Sequence, residues 1–255
     1  MNKLPLLAFS AVLLALIANS YAGINVTYVN TTVILGTNTT AHVIEIFTLQ
    51  VSGNASIQEY QQDRAALNLT LADWQKVLFS GLFTEHIMNP KSSISNVTFL
   101  PGPLLIGYAS DTALLTVDYY ALNASTVTNT APRKFQYLFN TSVFNYPHSS
   151  SGEALPTSAR LNLLIPQGAQ VASIYPLPDL PSPTLVNDYK NVTEFSWNSG
   201  EPLSKFTFSY IVTQTLQQEV LSYFGNVYTN YALDIVFIVI ILVVVLGVYF
   251  YTQNK

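Results

Sequence analysis

Cysteine is absent from the 255 residues. That absence removes thiol nucleophiles, thiolate zinc sites and iron–sulfur clusters together. It also removes the disulfides on which secreted domains commonly rely, so stability has to come from packing. Charge is the second scarcity. Only 9% of residues are Asp, Glu, Lys or Arg, against about a quarter in an average soluble domain. No basic stretch extends beyond Arg133-Lys134, and the 14 acids and 10 bases leave a net charge of −4. Nucleic acid therefore finds no electrostatic footprint and is excluded as a partner.

Histidine is scarce too. His42, His86 and His148 are the three present, none with a second histidine at metal-ligand spacing. Glu85-His86 is the only adjacent acid–imidazole pair. The chain has no nucleophile elbow, no Ser-x-x-Lys pair, no phosphate-cradling glycine loop and no dinucleotide fingerprint. No catalytic residue, metal site or cofactor is therefore predicted. Asp111 and Asp118 flank a strand and are the acids most open to a hydrolase reading, although strand-end and polar-face roles account for both. Trp74, Trp197, Tyr119 and Tyr120 have the chemistry to stack on sugars or to pack a core.

Two apolar ends set the expected topology. Residues 1–22 read as a signal peptide, with Lys3, the apolar run Leu4 to Ile17, and small residues at Ser20-Tyr21-Ala22. Residues 232–251 carry a single charge, Asp234, at their outer margin. About 20 residues at ~1.5 Å each match a hydrocarbon core of ~30 Å. Tyr228, Tyr231, Tyr249 and Tyr251 flank the run as interfacial aromatics. The expectation is a single-pass protein of the cell membrane. Its N-terminal ectodomain lies outside, its C-terminal helix contacts lipid, and residues 252–255 form the cytoplasmic tail.

Nine Asn-x-Ser/Thr triplets lie between these ends, at Asn25, Asn30, Asn38, Asn54, Asn68, Asn96, Asn123, Asn140 and Asn191. Chance pairing predicts roughly three. The excess points to N-linked glycans and places these asparagines on the surface.

The ectodomain reads as mainly β, with one or two β-sandwich domains and a short helical insertion. Residues 23–145 form an N-terminal β-rich glycosylated domain whose helical insertion spans 57–80. Its first two strands, Ile24 to Leu35 and Ala41 to Val51, are joined by Gly36 to Thr39. Thr70 is the expected N-cap within the insertion, with Asp73 three residues on. Further strands are expected at Ser95 to Leu100, Leu104 to Tyr108, Thr112 to Leu122 and Lys134 to Val143. Residues 146–157 are a polar loop and the expected boundary. Residues 158–215 then form a membrane-proximal sandwich, and 216–231 a juxtamembrane segment.

Leu163-Leu164-Ile165-Pro166-Gln167-Gly168-Ala169 through Trp197, followed by Phe206-Thr207-Phe208-Ser209-Tyr210, resembles the membrane-proximal β-sandwich of archaeal surface glycoproteins anchored by a C-terminal helix. Many sequons with no cysteine and few charges resemble the same group, acid-living crenarchaea above all. The resemblance implies a structural module and transfers no catalytic residue.

These readings favour a non-catalytic, membrane-anchored surface binding or envelope-assembly module with a protein partner at the surface or in the membrane. The alternatives are an accessory subunit of a secretion or glycosylation complex, and a carbohydrate-active ectoenzyme. Trp74, Arg133 and exposed tyrosines are the candidate anchors of a binding surface.

Overall fold

A computed structural model describes residues 23–66, 69–78, 93–108, 110–143, 148–149, 152–181, 189–203 and 205–220. The expected signal peptide, Asn68, His86 and the 232–251 helix lie outside them. Among the described residues no helix is long and apolar enough to cross a membrane. The described chain is mainly β. Two compact units are distinguished among the described residues, one within 23–128 and 136–212, the other within 129–135 and 213–220.

The first unit is built on two long strands, β1 (Gly23–Leu35) and β2 (Ala41–Ser52). Every odd residue of β2 from Ala41 to Val51 is buried and every even one from His42 to Ser52 is half-exposed. That period of two gives the strand one core face and one outer face. Further strands are β3 (Ile94–Pro101), β4 (Asp111–Ala121), β5 (Ser125–Ala131) and β6 (Lys134–Phe139). Short strands β7 (His148–Ser149) and β8 (Gly152–Glu153) form their own pair. The remainder are β9 (Ala159–Leu164), β10 (Gln170–Tyr175), β11 (Glu194–Trp197) and β12 (Thr207–Thr213).

Six strands form one sheet in the order β11-β9-β1-β2-β4-β3, and four form a second in the order β10-β12-β6-β5. β1 and β9 run parallel, pairing Val29 with Ala159 through Ile34 with Leu164. The polar segment 146–157 therefore does not divide the chain into separate sheets, because strands on either side of it are hydrogen-bonded neighbours.

Aromatic side chains join the two sheets. Phe208 of β12 meets Phe195 and Trp197 of β11 edge-on, with ring centroids 5.3 and 6.2 Å apart. All three are fully buried. Tyr137 and Tyr210 stack at 5.1 Å on the smaller sheet. Their hydroxyls donate to Thr37 O and Gly36 O in the β1–β2 turn of the larger one, at 2.8 and 2.6 Å. Burial raises both phenol pKa values.

The helical insertion is two helices, α1 (Asn54–Ala65) and α2 (Leu71–Leu78). The break falls where the expected cap lies. Thr70 donates from its backbone N–H and its hydroxyl to Asp73 Oδ2, at 3.0 and 2.6 Å. These two bonds lower the Asp73 pKa and hold the first turn of α2. Both helices contact β1, and α1 also contacts β2.

Other expectations are corrected. Residues 104–108 are not a strand but an exposed connection, bridged to β4 only at Leu105–Thr112. β5, which alternation did not reveal, is a strand exposed at every residue after Ser125. In the second unit, Gln214 N–H donates to Arg133 O at 2.8 Å. Arg133 Nε lies 3.8 Å from Glu219 Oε2, and residues 216–220 are helical.

Candidate functional site

The acids and histidines singled out above do not converge. Asp111 and Asp118 stand seven residues apart on β4, roughly 23 Å along an extended strand and on opposite faces. Glycoside hydrolysis by paired carboxylates needs about 5–10 Å. Asp111 Oδ1 instead accepts from Gly107 N–H at 3.2 Å. Asp118 Oδ1 lies 2.7 Å from His42 Nε2 across the outer face of β2 and β4, and the imidazole stacks on Tyr120 at 4.9 Å. Asp118 thus has a partner within the sheet and Asp111 one in the β3–β4 connection. His148 contributes its backbone to β7, paired with Glu153.

Trp74, Trp197 and Tyr119 are core residues, each at most 2% exposed, so none offers a stacking platform. Trp197 Nε1 donates to Pro176 O at 3.0 Å. Tyr119 donates to Glu45 Oε1 at 2.9 Å, which gives the fully buried carboxylate of β2 a partner far from any sheet edge. Among the described residues no group of three His, Cys, Asp or Glu side chains is arranged to hold a metal ion.

Two regions missed at the sequence level have the makings of sites. The first is a polar network across β1, β9 and β11. Asn162 Nδ2 donates to Asn30 Oδ1 at 2.7 Å and to Thr32 Oγ1 at 3.3 Å. Asn162 Oδ1 accepts from Ser196 Oγ at 2.7 Å and from Arg160 Nε at 3.1 Å. Arg160 Nη2 also donates to Ser196 Oγ, at 3.1 Å. Asn162 and Ser196 are nearly fully buried, and Leu180 closes the neighbouring edge by bridging Ser196. The network satisfies itself and joins strands from both halves of the chain.

The second region lies at the C-terminal end of the edge strand β3. A cavity of about 330 Å³ is lined there by Asp63, Arg64, Ala66, Leu69, Trp74, Phe99, Leu100 and Pro101. Tyr60 and Trp74, both buried and 6.3 Å apart, brace it. The Tyr60 hydroxyl donates to Gly102 O at 2.8 Å, and burial pushes its pKa up to about 12. Asp63 Oδ2 is buried with no hydrogen-bond partner. Desolvation, with the nearby Glu59 and Asp73 charges, raises the Asp63 pKa. An apolar hollow holding one underused carboxyl oxygen beside a guanidinium has the chemistry to take a small hydroxylated or cationic group. It has no positioned nucleophile.

Sequence signals for either region were thin, because each is assembled from residues far apart in the chain. Of the expected glycan sites, Asn25, Asn38, Asn54, Asn96, Asn123 and Asn191 are exposed, while Asn30 and Asn140 are half-buried. Asn96, Asn123 and Asn191 have φ of 54°, 56° and 63°, the left-handed turn conformation that asparagine tolerates better than most residues.

No family model matches the chain, and no curated protein matches it. Among solved structures, the folded domain of LppM from Mycobacterium tuberculosis, determined by NMR, is similar over 76% of this chain and 92% of that one, at 8% identity and a TM-score of 0.24.

Proposed function

We propose that this chain is a non-catalytic, membrane-anchored extracellular glycoprotein whose ectodomain works as a surface binding or envelope-assembly module. The observation that carries the reading is the placement of the sequons. Of the eight asparagines among the described residues six are exposed, two are half-buried and none falls in the core. Four of them gather toward one end of the larger sheet. Asn38 lies in the β1–β2 turn, and Ser125 beside Asn123 donates its N–H to Thr39 O. Asn140 Nδ2 donates to Asn123 O at 3.2 Å, and Leu122 N–H reaches Ser93 O near Asn96. Glycans there would shield that end. The β3 cavity lies toward the other end and offers a partner Asp63 and Arg64, its lining residue Leu69 belonging to the Asn68 triplet.

The apolar run at 232–251 supplies the anchor in this reading, and the resemblance to archaeal surface glycoproteins agrees with it. Alkaline extraction of cell membranes, followed by intact-mass analysis before and after glycan release, tests the proposal. The chain should stay with the membranes and lose the mass of several glycans. Recovery of an unmodified chain in the soluble fraction would overturn it, and turnover against a glycoside panel would replace it with an ectoenzyme.

A further inference from the structure

We infer that the β3–β4 connection is a membrane-contacting tip, in which Leu105, Ile106 and Tyr108, backed by Leu100 and Leu114, enter the interfacial layer of a lipid bilayer. Ile106 is 92% exposed and Tyr108 fully so, while Leu100 and Leu105 are each at least 60% exposed. No charge occurs from Ser92 to Ser110. Scattered exposed apolar residues are ordinary, but five on one hairpin end form a patch of the kind that marks an interaction.

Three features favour a bilayer over a protein partner. Ile106 and Tyr108 project from the tip almost fully exposed, and a fluid apolar layer accepts a projection without supplying a complementary pocket. Tyr108 also suits the headgroup boundary.

The third feature is the backbone, much of which satisfies its own polar groups, as entry into an apolar layer demands. Leu105 N–H donates to Thr112 O at 2.7 Å and Thr112 N–H to Leu105 O at 2.9 Å. Gly102 N–H donates to Leu114 O at 2.7 Å, and Gly107 N–H to Asp111 Oδ1. The tip is also held tightly. A Cβ at Gly107 would fall 2.1 Å from Ser110 O, and one at Gly102 would fall 2.9 Å from Leu114 O. The apolar side chains are thus presented by a shaped turn, which lowers the ordering cost of insertion.

This inference extends the membrane-anchored reading above, and the two fail separately. Because the chain has no cysteine, Ile106→Cys and Tyr108→Cys can each be labelled with an environment-sensitive dye in the full chain, with Thr126→Cys as a polar control. Proteoliposomes are prepared with brominated lipid tails either in the anchoring bilayer or in added protein-free vesicles, so the quenched arm tells which membrane the tip touches. Expected at both tip positions are a blue-shifted emission and loss of intensity in one arm. Neither should occur at the control, and Ile106→Ser should abolish the effect at Tyr108→Cys. Unquenched, water-like emission in both arms overturns the inference. So does a blue shift that follows protein density rather than bromine, which would mark a contact between copies. Carbonate extraction of the same vesicles reports the anchor independently.

Discussion

Replacing Asn162 by alanine tests whether the two halves of the ectodomain share one sheet. Asn162 sits on β9 beside β1 and β11, and its side chain makes short hydrogen bonds to Asn30 and Ser196, with longer ones to Arg160 and Thr32. Truncation leaves the Ser196 hydroxyl, only 2% exposed, without its acceptor. It also leaves Arg160 with one partner fewer. Orphaning a buried polar group costs about 1–3 kcal/mol. Asn30 is half-exposed and can turn to water, so a total of about 2–3 kcal/mol is expected. At ~2–4 °C per kcal/mol for a domain of this size, the melting temperature should fall by roughly 4–12 °C. The assay is a thermal melt of the full chain in mild detergent, followed by near-UV circular dichroism, with exposed Asn198→Ala as the control. A double-mutant cycle with Ser196→Ala should return a coupling of about 0.5–3 kcal/mol. One cooperative transition should move as a whole. A variant within about 0.5 kcal/mol of the parent would refute the network's role. Two transitions, only the later-sequence one shifted, would restore a domain boundary at 146–157.

Phe208→Ala should destabilise the fold by about 3–5 kcal/mol, because its ring fills the contact between the sheets, and denaturant titration will show whether it does. Peptide mapping after glycan release should find Asn25, Asn38, Asn54, Asn96, Asn123 and Asn191 occupied more fully than Asn30, whose amide oxygen is engaged by Asn162. Alkaline titration followed by absorbance should show Tyr60 resisting ionisation, since its folded pKa is raised to about 12. The folded state then holds the extra proton, so its contribution is full below pH ~10 and is lost as pH rises toward 12. Asp63 follows the same sign at acid pH, its raised pKa making stability fall as the carboxyl ionises. Asp63→Asn should therefore raise the melting temperature at neutral pH and flatten its acid dependence.

Strands that alternate were legible in the sequence, because period two is written locally. Ala41 to Val51 shows it except at Ile44-Glu45-Ile46, and β1 and β4 show it in part. The Thr70–Asp73 cap was legible for the same reason, its donor and acceptor lying three residues apart. β5 was not, since Thr126 to Ala131 has no buried residue to imprint a pattern. Residues 104–108 misled in the opposite direction. Apolar content there suggested a buried strand, whereas the side chains point to solvent. The β1–β9 pairing had no local signature, because its partners are 130 residues apart in register. The cavity beside β3 likewise draws on residues from Asp63 to Pro101.

How the chain guards its sheet edges follows from its shortage of charge. Open edges invite pairing with other chains, and lysines or inward-pointing charges commonly prevent it. Here other devices stand in. On β3, Asn96 takes a left-handed φ of 54°, the register with β4 slips between Ser95 and Thr98, and Pro101 ends the strand without a donor. A glycan at Asn96 would add bulk at the same edge. On β11, the opposite edge, Leu180 exchanges backbone hydrogen bonds with Ser196, so the proline-bearing segment acts as a cover. The smaller sheet carries a register shift between Val171 and Ser173 on its edge strand β10. Each device relies on backbone geometry or a sequon rather than ionised side chains, so edge protection of this kind would persist at a pH where carboxylates are protonated.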